Sequence, residues 1–234
     1  MQPNERVPSE MTAAQWLETF DRACPPVGKL YAHIVRHKTL RVVAVELAQA
    51  YRAISEALAR QGTLYLCGNG GSFSDALHLS GELLKSFVLP RPLSESFAAR
   101  LRAQPYGAEL AEHLQAGLRV HVLGCNPALS SAVANDIPVA GIAYAQELCA
   151  LARPGDLLLG ISTSGRARNV LLAVSLAKAM GITTIGLTGQ APNPLAERVD
   201  LPLSVPERET YRVQELHLAL YHQLCLMVEA HFFA

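Results

Sequence analysis

The sequence predicts an α/β protein with a doubly wound, mainly parallel sheet in three layers. Short apolar segments that are typical of strands alternate with longer segments whose apolar residues recur every three or four positions, as in helices. The strand segments lack polar alternation, which indicates that helices cover both of their faces. Half of the 234 residues are hydrophobic and 17% are charged, so a substantial buried core is expected.

The first half of the chain is predicted to contain one strand among several helices. The strand TLYLCG, residues 63–68, is short, apolar and followed by glycines. The predicted helices cover residues 11–35 with a break at Pro25–Pro26, residues 37–63 with a stop near Gly62, residues 72–88, and the Ala-rich residues 91–117 with a break around residues 105–107.

In the second half, strands and helices alternate regularly. Each strand is a short apolar run, and Gly or Pro residues separate it from its neighbours. The predicted strands cover residues 118–124, 156–161, 183–189 and 200–206. The predicted helices cover residues 129–137, 140–153, 167–181 and 207–233, the last of them a long C-terminal helix.

Composition limits the kind of partner. Twenty Lys and Arg balance twenty Asp and Glu, and no basic block runs along the chain, so no nucleic-acid or membrane partner is expected. The N-terminal residues lack the apolar stretch of a signal peptide, and the five cysteines are odd in number and scattered. These features predict a cytoplasmic protein with reduced thiols.

Two loops rich in Gly and Ser follow strands and precede helices: GNGGS at 68–72 and STSGRARN at 162–169. In a parallel sheet, ligands bind at the carboxyl ends of strands, and a helix N-terminus with nearby glycines suits a phosphate group. Neither loop has the GxxxxGK[ST] or GxGxxG pattern, so a small phosphorylated ligand fits better than ATP or NAD. The alternative is that each loop only caps its helix.

His78 and Glu82 are four residues apart on a predicted helix and therefore lie on one face. An imidazole and a carboxylate can bind zinc, although the same spacing also occurs in ordinary surface pairs. The C-terminal helix carries Gln214 and His222, eight residues and about 12 Å apart along its axis. Spacing alone leaves the role of these residues open.

Four segments together resemble the sugar isomerase (SIS) fold and, more narrowly, the phosphoheptose isomerase family: CGNGGSFSDALHLSGEL, ANDI, PGDLLLGISTSG and VQELHLALYH. The resemblance covers roughly residues 40–232 except about 93–117. It implies a single SIS domain over residues 1–234, with N-terminal helices in 1–60 and a helical insertion at 93–117. It also implies a homotetramer with sites at subunit interfaces.

The resemblance further implies a function for individual residues. The family interconverts sedoheptulose 7-phosphate and D-glycero-D-manno-heptose 7-phosphate through a cis-enediol, with Glu82 and His222 as the acid/base pair. The implied ligands of one zinc ion per subunit are His78, Glu82, Gln214 and His222. The implied substrate contacts are Asn69, Gly70, Gly71, Ser72, Asn135, Asp136, Ser162, Thr163, Ser164 and Gln214. A carboxylate, an imidazole and a divalent cation suit this chemistry, which needs a base, a proton shuttle and stabilisation of negative charge.

The chain departs from the family pattern at Ser86, Ala167 and Tyr211, where Arg, Ser and Asp are common. Two alternatives therefore remain open. One is a non-catalytic SIS tetramer that binds the replication initiator, and the other is an SIS enzyme or sensor for a different sugar phosphate. Because Gln214 and His222 are far apart on one helix, we also expect them either to reach one metal from two subunits or to bind it unequally.

Overall fold

The computed structural model describes residues 11–234. Its centre is a five-stranded sheet in which all neighbouring strands are parallel, in the order β2-β1-β3-β4-β5. The strands are β1 (Leu64–Cys67), β2 (Val120–Val122), β3 (Leu157–Ser162), β4 (Thr183–Thr188) and β5 (Leu201–Ser204). The five strand segments predicted from the sequence are confirmed.

Eleven α-helices are described within residues 11–234. They are α1 (Ala13–Ala23), α2 (Pro25–Arg36), α3 (Ala44–Ala59), α4 (Gly71–Leu84), α5 (Glu95–Arg102), α6 (Gly107–His113), α7 (Pro127–Asp136), α8 (Ala143–Leu151), α9 (Arg168–Ala179), α10 (Pro194–Arg198) and α11 (Thr210–Phe233). The N-terminal helices and the long C-terminal helix are where the sequence predicts them, but residues 1–10 of the predicted 1–60 region lie outside the described residues.

Helices cover the sheet on both faces, which confirms the three-layer prediction. In β1, Leu64 and Leu66 point into a core formed with α1–α4 and α11, whereas Tyr65 and Cys67 point into a second core formed with α8–α10. All four of these side chains are at most 5% exposed. Because alternate side chains of a strand face opposite sides, a strand buried on both faces must be apolar throughout.

The single helix predicted over residues 37–63 is wrong in its first turns. A short 3-10 helix, Leu40–Val43, lies between α2 and α3 instead. The His37 ring accepts hydrogen bonds from the two backbone N–H groups of Thr39 and Leu40, at 3.2 and 3.0 Å. A side chain that takes up backbone donors in this way competes with the helical hydrogen bonds, so the helix begins only after it.

The helix predicted over 72–88 ends early, at Leu84. The buried Arg91 guanidinium donates to the carbonyls of Glu82 and Leu83, at 2.9 and 2.8 Å, and pairs with the buried Glu229 carboxylate at 2.9 Å. Helical carbonyls at a C-terminus need partners from outside the helix. Arg91 supplies these partners and thereby ends α4 just beyond Glu82.

The order of the strands creates a crevice. The chain leaves β1 toward one edge of the sheet and β3 toward the other, so their carboxyl ends form the point at which the winding reverses. Ligands bind preferentially at such points in open parallel sheets. The loops 68–72 and 162–169 both begin here, although about a hundred residues separate them in the sequence.

None of the helices formed by residues 11–234 is both long and apolar enough to cross a membrane. The five cysteines are all unpaired.

Candidate functional site

Three of the four predicted metal ligands come together between α4 and α11. The His78 Nε2 atom is 3.1 Å from Glu82 Oε1 and 3.4 Å from His222 Nε2. The ligand atoms of the three side chains all lie within 4.8 Å of one another. Within residues 11–234 this is the one group of three or more His, Cys, Asp or Glu side chains arranged in this way.

The three side chains fit a zinc ion. Tetrahedral ligands placed about 2 Å from zinc are roughly 3.3 Å from one another, which is close to the separations measured here. Two imidazoles and a carboxylate are a donor set that zinc favours. The His78 side chain is 43% exposed and that of Glu82 is 17% exposed, so the cluster has an open side.

Electrostatics favour a neutral His222. Partial burial and the neighbouring His78 lower the pKa of His222, while the Glu82 carboxylate opposes the shift. An imidazole must be neutral at the nitrogen that binds a metal or accepts a proton. His222 is therefore suited to either role.

Within one chain, Gln214 lies apart from His78, Glu82 and His222. It precedes His222 by two turns of α11, and its amide covers Gly71, where a Cβ atom would collide with Gln214 Nε2. The structure therefore places Gln214 beside the first Gly-rich loop and not with the other three predicted ligands. Its predicted role in binding metal and substrate stays a prediction.

The first loop begins directly after β1 and leads into α4. Gly70 has a positive φ of 54°, a conformation that favours glycine, and Ser72 is buried at the start of the helix. Asn69 is exposed and exchanges two amide hydrogen bonds of 2.8 Å with Asn169 at the start of α9. These bonds hold the first loop against the second.

The second loop follows β3 and is fixed by hydrogen bonds from Thr188 and Gly189 at the end of β4. Thr188 Oγ1 donates to the carbonyl of Ser162 at 2.7 Å, and the Gly189 N–H donates to the carbonyl of Thr163 at 3.0 Å. Ser164 is exposed at the tip, and its hydroxyl accepts from the Arg166 N–H at 3.3 Å. A fixed loop with exposed hydroxyl and backbone donors before a helix suits an anion.

A cavity of about 400 Å³ opens beside the first loop, and its lining includes neither the predicted contacts Ser162, Thr163 and Ser164 nor the three clustered metal-ligand candidates. Asn69 and Gly70 line it from the first loop, and Asn169, Tyr144 and Phe73 line it from three different helices. Burial raises the pKa of Tyr144 to about 12, so its hydroxyl stays protonated and donates to the Gly68 carbonyl. The cavity is large enough for a phosphorylated sugar.

Tyr144 and Asn169 are site residues that the sequence reasoning missed. Asn169 is the last residue of the second loop segment and lies in the first turn of α9, so its position relative to STSG was a usable signal. Tyr144 carries no comparable signal, because it reaches the loop only through the packing of α8.

Asn135 and Asp136 are two further predicted substrate contacts, and they lie on α7. They occupy the exposed C-terminal end of α7, where the Asn135 amide donates to Asp136 at 2.8 Å. The cavity is lined by Ser130 of the same helix, and not by these two residues. Their substrate contacts stay predictions.

Several proteins of similar sequence are phosphoheptose isomerases. The SIS domain family matches residues 133–227. A phosphoheptose isomerase from Crocosphaera subtropica is 39% identical over 171 residues, which cover 73% of this chain and 74% of that protein. A phosphoheptose isomerase from Akkermansia muciniphila is 32% identical and covers 82% of this chain and 88% of its own length.

Solved structures agree with the sequence relatives. The phosphoheptose isomerase of Neisseria gonorrhoeae superimposes with a TM-score of 0.63 at 25% identity, covering 93% of this chain and 99% of its own. The enzyme of Francisella tularensis gives 0.64 at 25% identity, covering 93% and 98%. The resemblance inferred from the sequence segments is confirmed.

Proposed function

The chain belongs to the phosphoheptose isomerase family, and on this premise we propose how its own residues carry out an aldose–ketose isomerisation of sedoheptulose 7-phosphate. The product is D-glycero-D-manno-heptose 7-phosphate. The observation that carries this proposal is the cluster of His78, Glu82 and His222 between α4 and α11, of which α4 begins in the first Gly-rich loop.

His78, Glu82 and His222 would hold a zinc ion in this proposal. Their donor types and their separations of 3.1 and 3.4 Å support it. Zinc would supply Lewis-acid stabilisation of negative charge on substrate oxygens when bound.

Glu82 is the proposed base for the carbon-bound proton. Its carboxylate lies on the α4 face that looks toward α11, in reach of a substrate that enters from the open side of the cluster. Abstraction next to the carbonyl gives a cis-enediol, and return of the proton to the neighbouring carbon completes the exchange. His222 would move the proton between the two oxygens, for which its lowered pKa suits it.

The two loops would bind the remainder of the substrate. Ser162, Thr163 and Ser164 precede the N-terminus of α9, whose free N–H groups and dipole favour a phosphate. Asn69, Gly70, Gly71 and Ser72 would bind the sugar hydroxyls. With the phosphate held at one loop, the carbonyl end of the sugar extends toward α4.

The proposal is tested by metal analysis and by NMR of sedoheptulose 7-phosphate with the purified protein. We expect bound zinc and turnover, with losses of about 10²–10⁴-fold in Glu82→Gln and His222→Asn. Zinc without turnover would favour an SIS enzyme or sensor for another sugar phosphate. Absence of both would favour the non-catalytic SIS tetramer and would overturn the proposal.

A homotetramer with sites at subunit interfaces is the proposed assembly. Within one chain Gln214 and His222 are about 12 Å apart along α11, and the metal cluster is open on one side. Gln214 of one subunit could therefore complete the cluster of another. We expect light scattering to give a mass of four chains of 25.2 kDa each.

Mixing of two inactive variants tests the shared site. If Gln214 and His222 act on one metal from different subunits, Gln214→Ala and His222→Asn proteins should regain part of the activity when they are unfolded and refolded together. No regain in mixed tetramers would show that each subunit completes its own site.

We propose that the enzyme acts in the cytoplasm, because its five cysteines are unpaired and its proposed substrate is a metabolic phosphate.

A further inference from the structure

A hydrogen-bonded series links the cluster to a partly buried carboxylate, that of Asp75, which the proposed reaction does not use. The Tyr221 hydroxyl is 2.9 Å from His78 Nδ1 and donates to Asp75 Oδ1 at 3.4 Å. Asp75 precedes His78 by one turn of α4, and Tyr221 directly precedes His222 on α11. The same pair of helices therefore supplies both the cluster and this series.

Tyr221 and one carboxylate oxygen of Asp75 are sheltered from water, whereas the His78 side chain at the end of the series is 43% exposed. Tyr221 is only 2% exposed, and Asp75 Oδ2 is buried without a hydrogen-bond partner among residues 11–234. The rings of Tyr221 and His78 meet edge to face, with centroids 5.5 Å apart. A carboxylate oxygen accepts hydrogen bonds, and a single donor partly offsets the cost of shielding it from water, so the Tyr221 hydroxyl proton points toward Asp75.

The direction of the hydrogen bonds follows from counting protons. A tyrosine hydroxyl has one proton to donate. If Tyr221 donates it to Asp75, its oxygen is left as an acceptor toward His78, so His78 must carry its proton on Nδ1. The other ring nitrogen, Nε2, then has a free lone pair, and this is the atom that faces Glu82 and His222.

We propose that Tyr221 and Asp75 are positioning residues that fix the ring and the Nδ1–H tautomer of His78, so that Nε2 is free to bind the metal. This inference rests on the proposed metal-dependent function. It gives a role to Asp75 and Tyr221, which do not belong to the cluster and have no part in the proposed proton transfers. Partners of this kind orient metal-binding imidazoles and raise their basicity.

The variants Tyr221→Phe and Asp75→Leu test the inference, because the first removes the hydroxyl, the second removes its acceptor, and both approximately keep the shape of the side chain. Tyr51→Phe is the matched control. It removes a tyrosine hydroxyl that is also 2.9 Å from an imidazole Nδ1, that of His231, at the far end of α11. Metal-free proteins are titrated with zinc against a chromogenic chelator. We expect both test variants to bind zinc about 10- to 100-fold more weakly and the control to bind it as the wild type does.

Nitrogen NMR of the His78 ring in metal-free protein gives a second readout that needs no activity. At about pH 8.5, where an ordinary imidazole is neutral, we expect the Nδ1–H tautomer in the wild type and a mixture of tautomers in Tyr221→Phe. Wild-type zinc affinity in both test variants, or an Nε2–H tautomer in the wild type, would overturn the inference. A wild-type protein that binds no zinc would instead overturn the metal site of the proposed function, and the inference with it.

Discussion

Asn69 and Asn169 meet across the crevice between β1 and β3 through two amide hydrogen bonds of 2.8 Å. Each amide uses one donor and one acceptor in this pair, so the orientation of Asn69 toward the cavity is fixed by Asn169. Tyr144 adds a weaker contact to Asn69 Oδ1 at 3.5 Å. Asn69 therefore reaches the cavity already oriented for a ligand.

We predict that Asn169→Ala weakens substrate binding. Loss of the paired amide frees Asn69 to rotate, and one or two lost hydrogen bonds correspond to a KM roughly 3- to 10-fold higher, with a smaller change in kcat. Steady-state kinetics check this. Ser175→Ala, which removes an exposed hydroxyl from the same helix, is the control, and an unchanged KM in Asn169→Ala would contradict the prediction.

At the scale of residues, the sequence predicted part of the candidate cluster but not the contacts across the sheet. His78, Glu82 and His222 were identified through the family resemblance, and they do converge. Asn169 and Tyr144 were missed, because their importance depends on which side chains meet across the sheet. Gln214 is predicted from the resemblance as a metal ligand, but within the single chain its amide lies against Gly71.

At the scale of elements, the loop before α9 depends on Gly165. This residue has a positive φ of 66°, and a Cβ atom there would collide with the Asn193 side chain behind the loop. Asn193 is itself buried and bonded to the carbonyl of Gly189 at 3.2 Å. The proposed phosphate loop therefore cannot adapt to a side chain at position 165 without moving.

We predict that Gly165→Ala destabilises the fold and raises KM, because both the backbone strain and the collision fall on this loop. Gly181→Ala separates the two causes, since Gly181 has a similar φ of 68° but nothing within 4 Å of its would-be Cβ. Strain alone should cost about 1–2 kcal/mol in Gly181→Ala, and the collision about 2 kcal/mol more in Gly165→Ala. Denaturant unfolding measures both, and equal losses would contradict the role assigned to Asn193.

Helix boundaries were predicted well where glycine or proline marks them and poorly where a distant side chain sets them. Pro25 begins α2 at the predicted break. By contrast, α4 ends four residues early because Arg91, paired with Glu229 from the far end of α11, takes its last carbonyls. The residues around the end of α4 do not indicate that a distant residue such as Glu229 takes part in setting this boundary.

At the scale of the whole molecule, a buried histidine ties stability to pH. His217 of α11 is fully buried, and neither ring nitrogen has a hydrogen-bond partner among the described residues 11–234. Burial lowers the pKa of His217 to about 4, and the nearby Thr188 backbone offsets only part of the shift. The folded protein therefore keeps this ring neutral where the unfolded chain would protonate it.

We predict that the free energy of unfolding falls as the pH drops from about 6.5 toward 4. In this range the unfolded chain binds a proton at His217 that the folded chain excludes, so acid favours unfolding by up to about 3 kcal/mol. Above about pH 6.5 the His217 ring is neutral in both the folded and the unfolded chain, so this loss of stability disappears. Denaturant unfolding at a series of pH values measures the effect.

Two variants assign the pH effect to its residue. His217→Leu should lose this part of the pH dependence, whereas His33→Gln, at an exposed position, should keep it. An unchanged pH profile in His217→Leu would contradict the assignment.

The amino-acid sequence predicts the fold class, the number of strands and the three side chains that cluster between α4 and α11. Apolar periodicity and glycine-rich turns are local properties, and the motifs of the family keep their spacing along the chain. The tertiary structure alone decided that β1 and β3 are neighbours, that Asn69 meets Asn169, and that Tyr221 holds His78. These contacts join residues about 90 to 145 positions apart, and their partners follow from how the helices and strands pack in three dimensions.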